Sequence, residues 1–150
     1  MRRSILLLGL ALVAAVVPPA SGQTAARKSH SVDLRMRLAV INQNPPSGSV
    51  FAGEVKGKPL GAAAIIARNQ VSGTTSTGKV VIYAKRGTIR ANITNQIQPQ
   101  PDGSVDFPGS FKVRRGTGLY EGITGKGSFD GTLAAGSTVM VFHVTGKLRY

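Results

Sequence analysis

Two histidines, His30 and His143, and six carboxylates, Asp33, Glu54, Asp102, Asp106, Glu121 and Asp130, are the groups of this chain of 150 residues best suited to acid-base or metal chemistry, and there is no cysteine. Without a thiol there is no disulfide, no Cys-based zinc or iron-sulfur site, no thiol nucleophile and no lipid-bearing cysteine. Two histidines fall short of a three-histidine metal site, and the carboxylates form no ligand-like cluster, so neither a metal nor a cofactor is expected. A carboxylate pair for glycoside hydrolysis would have to be drawn from the same six, of which Asp102 with Gly103 has turn chemistry. His30 falls in a polar lead-in, and His143 lies within a strand pattern that favours a satisfied or surface histidine over a catalytic base. Nothing in the spacing supports a Ser-His-Asp triad.

Three short motifs invite chemistry and fail on spacing or context. Gly122-Ile123-Thr124-Gly125-Lys126-Gly127 lacks the four residues between glycines, and the Ser or Thr after Lys, that a phosphate loop needs. Ser76-Thr77-Gly78-Lys79 spells S-x-x-K but sits in Thr, Ser and Gly turn sequence without companion motifs. Gly127-Ser128-Phe129-Asp130-Gly131 has its serine one place too early for a nucleophile elbow. Asn92-Ile93-Thr94 has the form of a glycosylation sequon.

The elements that would position such groups begin after a leader. Met1-Arg2-Arg3 is a charged start, Ile5 to Val17 an aliphatic run, and Pro18-Pro19 its close. Residues 1-22 therefore read as a secretory signal peptide cut after Gly22, with Ala25 or Ala26 nearly as acceptable, and its apolar run is short of the roughly 20 residues that span a bilayer. Export to the envelope or exterior, with no transmembrane span after processing, is the expectation. Residues 23-30 read as a flexible basic lead-in and 31-150 as one domain.

Within that domain Val32, Leu34, Met36, Leu38 and Val40 alternate with Asp33, Arg35, Arg37 and Ala39, the period-two pattern of a half-buried strand. Asn42 to Gly48 reads as a turn. Further strands are expected over 49-55, 61-68, 79-85, 88-94, 110-114, 118-120, 126-133 and 138-148, with helix competing only at 62-67, where alanines accumulate. In the last strand Met140, Phe142, Val144 and Leu148 share one face and Val139, Val141, His143 and Thr145 the other. Both faces are largely apolar, and an apolar second face implies either a covering layer or a partner subunit, so a homo-oligomer is an expectation. The 19 glycines suit the turns and bulges that close a small barrel or sandwich.

Charge is the strongest compositional signal, with 19 Lys and Arg against 6 Asp and Glu and a formal net charge of +13. Such a chain is drawn to polyanions, which outside a cell means acidic envelope or matrix polymers. Arg35, Arg37, Lys85, Arg86, Arg90, Lys112, Arg114 and Arg115 fall at strand faces or ends where a barrel could gather them into a basic patch. Base stacking needs interleaved aromatic side chains, which are sparse here, so nucleic acid is not the expected partner.

The run Gly116-Thr117-Gly118-Leu119-Tyr120-Glu121-Gly122-Ile123-Thr124-Gly125-Lys126-Gly127-Ser128-Phe129-Asp130-Gly131-Thr132 resembles a G-T-G-x-Y-x-G-x-x-G-x-G-x-F-x-G-T pattern of small exported bacterial proteins. Those proteins resemble the allene oxide cyclase and dirigent barrels, and Ile82 to Ile89 and Val144 to Tyr150 fit the same pattern. The resemblance implies an eight-stranded antiparallel barrel with an apolar interior, often trimeric in the plant relatives. Gly116, Gly118, Tyr120, Gly122, Gly125, Gly127 and Gly131 would then be structural turn residues. The plant enzymes use a glutamate and polar partners inside the barrel, and no motif carries that role onto Glu54 or Glu121. The reading that follows is an exported, non-enzymatic barrel binding a small apolar molecule in its lumen. The alternatives are a basic envelope or matrix protein that binds acidic polymer, and a cyclase or isomerase acting in the lumen.

Overall fold

The computed structural model describes residues 27-44 and 48-150, so the leader, most of the lead-in and the centre of the Asn42 to Gly48 turn lie outside the described residues. The described residues form ten strands: β1 Ser29–Asn44, β2 Gly48–Lys58, β3 Gly61–Ser72, β4 Thr75–Ala84, β5 Gly87–Gln96, β6 Gln98–Pro99, β7 Val105–Asp106, β8 Gly109–Gly116, β9 Thr124–Leu133 and β10 Val139–Arg149. Eight of them close into an antiparallel barrel in the order β1-β2-β3-β4-β5-β8-β9-β10, and β10 returns to β1 with Ser29 opposite Arg149 and Ala39 opposite Val139. The short β6 and β7 form a side hairpin that pairs onto the end of β9.

Alternation decides the wall. Val32, Leu34 and Leu38 of β1 are buried with Ile65 and Ala67 of β3, Val80 and Ile82 of β4, and Met140, Val144 and Leu148 of β10. Their immediate sequence neighbours, such as Asp33, Arg35 and Arg37, face outward, as a period of two requires. The alanine-rich segment is strand, with Ala62 to Ala67 paired on both sides. A central strand contributes two ladders of hydrogen bonds, and that tertiary gain outweighs the modest helical preference of alanine.

Several expectations are corrected. Ser29 and His30 belong to β1, pairing with Arg149 and Leu148, because the His30 ring stacks on Tyr150 at 4.4 Å. Asn42 to Asn44 and Gly48 are paired strand, leaving a narrower turn. Val40 is 41 % exposed rather than core, since β1 has already run beyond its last contact with β10 and its register with β2 shifts at Ile41. Ser76 to Gly78, read as turn ahead of a strand starting at Lys79, lie in the first half of β4, held between β3 and β5. Gly118–Tyr120, expected as strand, is a 3-10 turn. Gly118 there has φ +61°, and a Cβ would crowd the Arg86 carbonyl. On β10 the outward face carries Val139 and Val141, followed by exposed His143, Thr145, Lys147 and Arg149.

Candidate functional site

The inward side chains of the eight strands enclose a cavity of about 160 Å³. Its walls are Leu38, Phe51, Ile65, Val80, Val113 and Met140 with their aliphatic and aromatic neighbours, and no Lys, Arg, His, Asp, Glu or Tyr lines it among the described residues. The two ends differ. At the end where β5 starts and β8 finishes, the 3-10 turn is fixed by hydrogen bonds from the Thr117 amide to the Thr88 carbonyl and from the Leu119 amide to the Arg86 carbonyl. It carries Tyr120 into the core, 2 % exposed and edge-on to Tyr150 at 5.1 Å. Burial, reinforced by the neighbouring Tyr150, pushes the Tyr120 phenol above its ordinary pKa.

The opposite end carries the polar part of the lining. Ser49 of β2 lies opposite Asn69 of β3, and Ser76 of β4 opposite Asn95 of β5, so four consecutive strands each turn one neutral polar side chain inward. Ser76 and Asn95 are buried, and the Asn95 amide donates to the Gln96 carbonyl at 3.3 Å. The Asn69 carboxamide oxygen is buried with no hydrogen-bond partner. It occupies the space that a side chain at Gly78 would fill, which explains why the residue opposite Asn69 is glycine. Ile97 and Phe107, from the segments flanking the β6 and β7 hairpin, line this same end.

The conspicuous chemical side chains lie outside the barrel. His143 is exposed, its Nε2 2.9 Å from Asp33 Oδ1 across the β1–β10 seam, the satisfied surface histidine that the strand pattern suggested. Glu54 is ion-paired with Lys56 at 2.9 Å, and that ammonium holds its carboxyl below the usual range. Asp102 accepts from the Ser104 hydroxyl and amide in its turn, which lowers its pKa too. Asp106 accepts from Thr132 Oγ1 at 2.9 Å and from Gln100 Nε2 at 3.0 Å. Glu121 and Asp130 are exposed. Ser76 points into the lumen while Lys79, three residues on, is exposed on the outer face, so the S-x-x-K spelling brings no lysine to that serine. Among the described residues no group of three or more His, Asp or Glu side chains is placed to hold a metal ion.

The glycine motif works through close approach. Gly131, opposite Phe142, is buried under that ring, and Phe142 in turn meets Phe129 edge-on at 5.9 Å and Phe107 at 6.2 Å. Gly116 lies against Tyr120 and Ile123, Gly125 against Leu148, and Gly127 between Phe111 and the Thr145 carbonyl, while Gly122 sits in the turn after Tyr120.

The basic patch expected from sequence is divided. Arg35 and Arg37 sit on the outer face of β1 beside Lys56 and Glu54 of β2, and Lys85 and Arg86 lie in the β4–β5 turn. Arg90 is opposite Arg115, and Lys112 is exposed on β8 near Arg114. Round the closed barrel, β9 and β10 on one side and β2 to β5 on the other separate β8 from β1, so the arginines of β1 do not lie beside those of β8. Sequence reasoning passed over Arg68, Lys79, Lys126 and Lys147, whose outward positions follow from alternation but whose juxtaposition depends on register. No family model, curated protein or solved structure matches the chain at a significant level.

Proposed function

We propose that this protein is an exported, non-enzymatic barrel of the allene oxide cyclase and dirigent type that binds a small apolar molecule in its lumen. The observation that carries the reading is the cavity of about 160 Å³ enclosed by aliphatic and aromatic side chains. Dry apolar cavities on the order of 150 Å³ take up benzene-sized molecules, which sets the scale of the ligand. The buried, unpartnered Asn69 oxygen at the polar end favours a ligand with one neutral hydrogen-bond donor, such as a phenol or short alcohol. A carboxylate has no cation to meet inside the lumen and would pay the full cost of desolvation.

Binding fits this lining better than catalysis. A cyclase or isomerase would need a proton donor or acceptor beside its substrate, and the titratable groups of the described residues lie outside the cavity wall. The leader supports export, and the glycine run from Gly116 to Thr132 supports the family reading. The test is a titration of the protein with toluene and with phenol, followed through methyl NMR signals. Shifts confined to Leu34, Ile65, Val80, Val113 and Met140, with saturation and tighter binding of phenol, are the expected result. Shifts scattered over outward methyls, or none up to the solubility limit, would dispose of the lumen reading.

A further inference from the structure

Register places an unbroken row of cationic and amide side chains around the outside of the barrel. Arg68 of β3 is opposite Lys79 of β4, Lys79 opposite Asn92 of β5, Asn92 opposite Lys112 of β8, Lys112 opposite Lys126 of β9, and Lys126 opposite Lys147 of β10. All six are exposed, and the ion pairs among the described residues, Lys56 with Glu54 and His143 with Asp33, involve none of them. Strands lie about 4.8 Å apart, so the row runs for roughly 24 Å; directly opposed cations fall inside one Debye length of about 8 Å, and the Lys79 to Lys112 step across Asn92 spans about 9.6 Å. Like charges placed directly opposite one another destabilise a sheet, and an added anion relieves that repulsion.

Two residues along each strand runs a second row, Gln70, Thr77, Thr94, Ser110, Ser128 and Thr145, again in direct register and exposed. The cations are thus flanked by groups that both donate and accept hydrogen bonds, as sugar hydroxyls require. At the β3 to β5 end the two rows border a groove of about 670 Å³ that also includes Arg90. Neither row contains an aromatic side chain, the platform on which nucleic-acid bases stack.

We infer that the outer row Arg68, Lys79, Lys112, Lys126 and Lys147 is a binding track for a linear acidic polysaccharide, its carboxylates meeting the cations and its hydroxyls meeting the neighbouring Ser, Thr and Gln row. The track is on the opposite side of the wall from the lumen and stands whether or not the lumen takes a ligand.

The test measures affinity of the protein for polygalacturonate oligosaccharides as a function of salt. The variant Lys112→Gln/Lys126→Gln/Lys147→Gln should bind at least tenfold more weakly at low salt and lose about 2 from the slope of log affinity against log salt. Arg35→Gln/Arg37→Gln, which removes two charges elsewhere, should stay within about twofold of the unaltered protein. Equal losses in both variants would reduce the effect to net charge and overturn the track, as would no loss in the first. Competition on the unaltered protein needs no variant to fold: the uronate should displace a single-stranded oligonucleotide of equal charge, and the reverse order would also overturn the assignment.

Discussion

Ile65 lies at the centre of the lumen wall, 1 % exposed and lining the cavity, and its truncation tests whether the barrel truly holds an apolar space open. Ile65→Ala deletes three carbons, worth about 2.4 kcal/mol at roughly 0.8 kcal/mol per buried methylene. A cavity term adds to this, since unfilled volume costs about 24 cal/mol per Å³ where the walls do not relax. Here they have little freedom to do so, because β3 is held by ladders to both β2 and β4 and the gap opens into existing empty space. The expected loss is therefore about 3 to 4 kcal/mol, within the range of about 2 to 5 found for such truncations. Urea unfolding followed by far-ultraviolet circular dichroism would show it as a midpoint lowered by about 1 to 4 M for a typical slope of about 1 to 3 kcal/mol per M. Toluene at a hundred times its dissociation constant should return about 2.7 kcal/mol. A loss below about 1 kcal/mol would mean that the wall closes around the gap. A normal loss without any toluene response would mean that the space is open but inaccessible, and either result refutes the lumen argument.

The remaining predictions concern the motif, the two ends and the phenol. Gly131→Ala should cost about 1 to 3 kcal/mol in a thermal or urea melt, because its methyl group falls on the Phe142 ring, and Phe142→Leu in the same chain should recover part of the loss. Asn69→Leu removes a buried acceptor that has no partner, so stability should hold or rise by about 1 kcal/mol while the preference for phenol over toluene disappears in the NMR titration. Tyr120 has its folded-state pKa raised above the ordinary value of 10.0, so its contribution is complete below pH 10 and is lost as pH climbs through the folded pKa. Urea midpoints should accordingly fall as pH rises above 10 in the unaltered protein and fall less in Tyr120→Phe.

Much of the architecture is legible along the chain because a strand records its two environments residue by residue. Val32, Leu34 and Leu38 alternate with Asp33, Arg35 and Arg37, and the barrel buries the first set and exposes the second. The boundaries were less legible. Val40 continues the same pattern yet is exposed, since only the length of β10 determines where β1 loses a neighbour. Ser76 to Gly78 has turn composition and is strand, since pairing on both sides supplies what local preference lacks. Gly118 to Tyr120 shows the reverse, a turn that local glycine content made possible and packing of Tyr120 made definite.

Composition and alternation by themselves determined the β class, the inward and outward residues, the absence of thiol chemistry and the excess of positive charge. Closure was decided elsewhere, by the pairing of β1 with β10 across most of the chain, and so were the cavity, its polar end and the row of cations. Alternation is a property of neighbours in sequence, so it specifies the face on which Lys126 or Asn69 lies. Register is a property of the whole closed sheet, and a shift of two residues in one hairpin would preserve every face while carrying Lys126 away from Lys112 and Lys147, and Asn69 away from Gly78.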